Sequence, residues 1–116
     1  MEINELFIGA WVMDGIKPAE VTGIICDGIV ETTVNESSNI EVIEPIPLTD
    51  AILYKHGFDY HHRNLASLEY PIEETFTLAY IEDGLWRIGR NWYIRYVHEL
   101  QLALRLLNVG VEIDLT

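Results

Sequence analysis

Short apolar and β-branched runs recur through the first 45 residues, and each run stops at a turn signal. Ala10-Trp11-Val12-Met13 and Glu20-Val21-Thr22-Gly23-Ile24-Ile25-Cys26 read as strands, separated by Asp14-Gly15, where a turn is expected, and by Pro18. Asp27-Gly28 then precedes the β-branched run 29–34, which predicts a tight hairpin between the second and third strands through a type I′ turn. Asn35-Glu36-Ser37-Ser38-Asn39 is a polar turn cluster, and Ile40-Glu41-Val42-Ile43 follows with a period-two alternation that ends at Pro45. The pattern predicts a four-stranded antiparallel meander. Its short strands and Gly-rich turns suit a strongly curved sheet or a small SH3-like barrel.

The pattern changes at Pro45-Ile46-Pro47-Leu48-Thr49-Asp50, where two prolines fix an extended hinge. Thr49 is a good N-cap and Asp50 suits a helix N-terminus, so residues 50–56 should form a short helix closed by Gly57, with Phe58 supplying the apolar contact of the stop. Residues 59–70 show weak periodicity and read as a long, mobile loop. A second hairpin is expected from 75–81 and 85–90 around Glu82-Asp83-Gly84. The longest helix is expected over 96–108, with Val97, Leu100, Ala103, Leu104 and Leu107 on one face and Gly110 near its end. Residues 111–115 alternate like a last short strand. The fold class expected is α+β, as a β-meander subdomain over 1–45 and an α+β subdomain over 46–116.

Composition narrows this picture. An apolar share of 49% over 116 residues suffices for a core without disulfides or metal. No apolar run approaches the roughly 20 residues that span a bilayer, and the N-terminus lacks the basic start of a signal peptide, so a cytoplasmic protein with no membrane partner is expected. The single cysteine, Cys26, reads as a buried small hydrophobe. A net charge of −12, from 19 acids and 7 bases, argues against direct nucleic-acid binding. The charges are uneven: residues 1–50 hold ten acids and one base, Lys17, whereas Arg87, Arg90, Arg95 and Arg105 fall late.

Candidate chemistry is sparse. His56, His61 and His62 with Asp59 could supply metal ligands in principle, but adjacent histidines point apart and the spacing fits no metal module. His98 reads as a structural or surface histidine, with no nucleophile placed near it. Glu73-Glu74 and Glu82-Asp83 read as solvated edges and turns, and no glycine-rich phosphate loop exists. No catalytic, cofactor or metal site is therefore assigned. Two surfaces remain. Leu102 and Leu106, four residues apart beside Glu99, fall opposite the core-facing side of the long helix and could contact a partner or a second copy. Trp86, Arg87, Arg90 and Trp92 could form an aromatic and cationic patch for an anionic ring compound.

The run Pro45-Ile46-Pro47-Leu48-Thr49, the Gly57-Phe58 stop, the aromatic hairpin and Tyr96-Val97-His98-Glu99-Leu100-Gln101 together resemble a family of small uncharacterised proteins encoded in genomes, prophages and mobile elements of Bacteroidetes gut bacteria. That family usually carries Gln where Glu99 stands, and differs from this chain over 102–110. The resemblance implies a phage or mobile-element context and brings no assigned activity. Three functions stay open: an accessory protein acting by protein–protein interaction or self-assembly, an acidic inhibitor that mimics nucleic acid, and a small-molecule binder using the aromatic and arginine patch.

Overall fold

The computed structural model describes residues 1, 3–25, 28–62, 65–70 and 74–116. The chain is α+β, and it divides into two compact units: Met1–Ile46 together with Ile113–Thr116, and Pro47–Glu112. The last four residues, expected with the second unit, belong to the first.

Unit 1 is a five-stranded antiparallel sheet. Its strands are β1 (Trp11–Asp14), β2 (Lys17–Ile24), β3 (Ile29–Thr32), β4 (Ser38–Asn39) and β5 (Ile43–Pro45), in the order β4-β3-β2-β1-β5. The fifth strand exceeds the expected four because residues 40–42 form a 3₁₀ turn rather than a strand, and Ile43–Pro45 beyond it pairs with β1. That connection also fixes the curvature. Across a flat sheet, four strand spacings of ~4.8 Å would hold β4 and β5 about 19 Å apart. The four residue steps from Asn39 to Ile43 reach at most about 14 Å even when extended, so the sheet must curl. This is the strongly curved sheet expected from the sequence.

The turn between β1 and β2 is Gly15-Ile16, one residue later than expected, with Asp14 paired to Lys17 and Gly15 at φ 67°. Pro18 does not separate strands; it sits in β2 opposite Met13. The ladder with β3 starts only at Val21, so a missing N–H at Pro18 interrupts nothing on that side. Residues 26 and 27 of the expected β2–β3 turn lie outside the described residues. The core holds Leu6, Ala10, Val12, Val21, Val30 and Ile43, with Met1, Phe7 and Ile40 packed against it.

Asp14 is buried at the end of β1, where its Oδ2 accepts hydrogen bonds from Thr32 Oγ1 (2.7 Å) and Ser38 Oγ (2.6 Å). Thr32 Oγ1 in turn accepts from the N–H groups of Val34 and Asn35. One carboxylate thus ties β1 to β3, β4 and the turn between them. The C-terminus closes the unit: the Trp11 indole donates to the Ile113 carbonyl at 2.8 Å, and both residues are buried.

Unit 2 begins with an isolated bridge of Pro47 to Tyr96 and an N–H of Leu48 donating to the Arg95 carbonyl. Helix α1 (Asp50–Lys55) is capped by Thr49, whose Oγ1 accepts the Ile52 N–H. It ends as expected: Gly57 takes φ 90°, its N–H reaches the Tyr54 carbonyl, and the Phe58 N–H reaches that of Leu53. These two bonds form a Schellman stop, with Leu53 and Phe58 both buried.

Five strands follow as an antiparallel meander, in the order β10-β9-β8-β7-β6: β6 (Asp59–His62), β7 (Leu65–Tyr70), β8 (Glu74–Glu82), β9 (Leu85–Ile88) and β10 (Trp92–Ile94). The long loop expected over 59–70 is instead the hairpin arm β6 and β7. Its polar and aromatic positions hid the alternation, but β7 pairs residue by residue with β8 over Leu65↔Ala79 to Tyr70↔Glu74. Long non-local pairing thus imposes what local propensity does not. The β8–β9 turn is Asp83-Gly84 with both φ positive (45° and 77°), a primed two-residue turn, while Glu82, expected in the turn, ends β8 opposite Leu85. Residues 92–94, read only as aromatic area, pair with β9.

Helix α2 (Val97–Leu106) buries Val97, His98, Leu100, Ala103 and Leu104. Leu107, expected on that face, is its C-cap and exposed. The stop residue is Asn108, at φ 57°, rather than Gly110. The Asn108 N–H reaches the Arg105 carbonyl and the Val109 N–H that of Leu104, a second Schellman stop. Residues 111–115 form no strand.

Candidate interaction surfaces

Helix α2 starts where Glu99 makes it start. Oε1 of Glu99 accepts the N–H groups of Arg95 (2.9 Å) and Tyr96 (3.1 Å), which would otherwise stay unpaired at the first turn. Glu99, a candidate for partner contact, therefore has a capping role. Arg95 Nη1 donates to the Asp83 carbonyl at 2.9 Å, tying the helix entry to the β8–β9 turn.

With the helix fixed at its entry, Leu102 and Leu106 lie one turn apart on the side away from the buried positions, 40% and 65% exposed. Leu107, 48% exposed, extends the apolar surface around the C-terminal end, and the exposed Arg105 stands among them. A solvated helix face normally carries charge or amide at such positions. Here three leucines occupy the last turn and a half.

The aromatic and arginine patch does not assemble. Along β9 the burial alternates, so Trp86 and Ile88 face inward while Leu85 and Arg87 face the other way. The ladder repeats the division: Trp92 stands opposite Ile88, and Tyr93 opposite Arg87. Trp86 is buried, with its ring edge-to-face on Tyr80 at 5.0 Å. Arg90 is exposed in the turn after β9. The pleat thus puts the tryptophans and Arg87 on opposite faces of one sheet. Their closeness in sequence concealed the period of two.

Two of the histidines are held by local contacts. His56 Nδ1 is 2.7 Å from the Ile52 carbonyl, and His98 is buried with its ring stacked 5.9 Å from that of Tyr96. The side chains of His61 and His62 lie outside the described residues, as do Cys26 and Glu73. No group of three or more metal-ligating residues occurs among the described residues. Glu82 and Asp83 are exposed at the β8–β9 turn.

Another apolar surface escaped the sequence reading. Ile24 and Ile25, expected within the second strand, are 41% and 55% exposed where β2 ends, and Val42 is 53% exposed at the end of the 3₁₀ turn. The Thr22 bulge carries the signal that could have found them: Thr22 separates Val21 and Gly23 in the register with β3, and Gly23 in a strand often marks such a slip. The charge also divides by unit. Unit 1 has ten acids and one base, a net −9, and unit 2 has nine acids and six bases, a net −3.

No helix among the described residues is long and apolar enough to cross a membrane. Comparison with protein-family models, with curated proteins and with solved structures gives no match.

Proposed function

We propose that this chain is a small accessory protein that works by binding another protein, in the cytoplasm of a bacterium carrying a phage or mobile element. The observation that carries the reading is the exposed leucine ridge Leu102, Leu106 and Leu107 on a helix capped at both ends. Exposed leucines in contiguous turns of a rigid helix suit a helix face laid against an apolar groove or a second helix. The phage or mobile-element setting rests on the resemblance carried by Pro45-Ile46-Pro47-Leu48-Thr49 and the start of α2.

The partner can be another protein or a second copy, and salt separates the two. Two bodies of charge −12 about 30 Å apart repel by ~20 kcal/mol in unscreened water, which falls to ~1 kcal/mol at 0.1 M salt. Self-assembly through the leucine ridge therefore strengthens as salt rises. Sedimentation of wild type and L102S/L106S at about 50 and 300 mM salt, beside affinity capture by the same proteins, tests the reading. Either salt-promoted dimerisation or capture of a specific protein, lost in the variant, supports it. Identical behaviour of wild type and variant in both assays overturns it.

The second reading, an acidic inhibitor of a nucleic-acid-binding protein, is favoured by the net −9 of unit 1. Binding of that kind should weaken steeply with salt and be insensitive to L102S/L106S.

A further inference from the structure

Ile24 stands opposite Val30, a fully buried core residue, yet is itself 41% exposed. It continues the core of unit 1 to an open rim. The neighbouring backbone is stitched together there: the Ile25 N–H donates to the Ile29 carbonyl (3.0 Å), Ile29 pairs with Asn39, and the Ile40 N–H donates to the Gly28 carbonyl (2.7 Å). Asn39 Oδ1 accepts the Glu41 N–H at 2.9 Å, which starts the 3₁₀ turn that ends at the exposed Val42. Ile24, Ile25 and Val42 therefore belong to one hydrogen-bonded end of the sheet, with Ile29 and Ile40 half-buried between them.

We infer that this end of unit 1 is a docking surface for a basic, amphipathic protein segment. The apolar rim needs an apolar face on the partner, and the charge decides the rest. Glu41, next to Val42 in the 3₁₀ turn, and Glu44, two residues beyond Val42, are exposed, and Lys17 is the one base among ten acids in the unit. A second copy would bring −9 against −9, and nucleic acid or an anionic membrane would be repelled in the same way. A segment with apolar and cationic residues on one side gains on both counts, and the field speeds its encounter. The surface is small, under about 1,000 Å² of buried area, so the expected affinity is micromolar. It lies on unit 1 and does not depend on the leucine ridge of α2.

Three synthetic 20-residue peptides added to the full-length, ¹⁵N-labelled chain test this: an amphipathic Leu/Lys helix, a Gly/Lys peptide of equal charge, and a Leu/Glu helix of equal apolarity. Amide shifts locate binding and fluorescence anisotropy measures it. The Leu/Lys peptide should bind with shifts concentrated at residues 24, 25, 29 and 39–42. It should bind at least tenfold more tightly than either control. I25S/V42S, at exposed positions, should weaken it about tenfold, and so should E41Q/E44Q, which leaves the apolar rim intact. L102S/L106S should leave it unchanged. Equal binding of both cationic peptides, shifts spread over all acidic positions or lying elsewhere, or no binding would each overturn the inference. A circular dichroism melt confirms that the variants are folded.

Discussion

Replacing Asp14 by alanine removes the acceptor of two buried hydroxyl hydrogen bonds, from Thr32 Oγ1 at 2.7 Å and Ser38 Oγ at 2.6 Å. Hydrogen bonds to a charged group contribute about 1.5–3 kcal/mol each, and an orphaned buried donor costs about 1–3. The two hydroxyls are not equally exposed to that loss. Thr32 has a fallback in the Asn35 carbonyl, 3.5 Å away, and goes on accepting from two backbone N–H groups. Ser38 is buried and has no second partner among the described residues. Removing a buried carboxylate also returns part of its desolvation cost. The net expectation is a loss of about 2–3 kcal/mol, most of it from Ser38. A unit of this size has only about 3–7 kcal/mol in total, so the change is a large share of it.

Urea unfolding, followed by amide exchange in β1–β3, should show this unit's midpoint lowered by about 2 M for a slope near 1.2 kcal/mol/M. Asp14→Asn keeps an acceptor oxygen and should lose only about 1 kcal/mol. Ser38→Ala alone should cost about 1–2 kcal/mol, but in the D14A background it should restore about 1 kcal/mol by removing the orphaned hydroxyl. A D14A loss under about 0.5 kcal/mol, or strict additivity of D14A and S38A, would refute the reasoning.

Asn108→Ala should destabilise unit 2 by about 1–2 kcal/mol, because φ 57° suits Asn or Gly, whereas Asn108→Gly should be neutral or stabilising by a few tenths; thermal melts of both check this. Glu99→Ala unpairs two N–H groups at the start of α2 and should cost about 1 kcal/mol, with faster amide exchange at Arg95 and Tyr96. Deleting residues 113–116 removes the acceptor of the Trp11 indole, and should cost unit 1 about 2 kcal/mol and shift the Trp11 side-chain N–H resonance. Gly28→Ala combines φ 76° with a Cβ placed 3.1 Å from Ile40 Cγ2, and should destabilise unit 1 by about 1–2 kcal/mol in urea unfolding; Gly110→Ala, which meets neither problem, is its control.

Elements whose cause is local were legible in the sequence. Thr49, Gly57 and Phe58 write the whole of α1 within ten residues, and Asp83-Gly84 writes its turn in two. What depends on distant pairing was not. Strand β7 exists because β8 lies beside it, β5 because β1 does, and Pro18 enters a strand because its outer side has no neighbour. The sites follow the same rule. Leu102 and Leu106 could be read as exposed from a helical period, which is local, whereas Leu107 was placed on the wrong side because the helix ends before it, and the capping role of Glu99 needed the chain's direction at Arg95. The patch around Trp86 failed because neighbours in a strand occupy opposite faces. The carboxylate tie at Asp14 joins residues 18 and 24 positions away, and no motif records it.

The claim that matters most is that the leucine ridge of α2 meets another protein. A photo-crosslinking residue placed at position 106, in the bacterial cytoplasm, reads that contact directly, with the exposed position 91 as control. The account predicts a discrete crosslinked species from position 106 that is absent from position 91, and that disappears on Leu102→Ser. The same pattern from both positions, or no crosslink at 106, would contradict it.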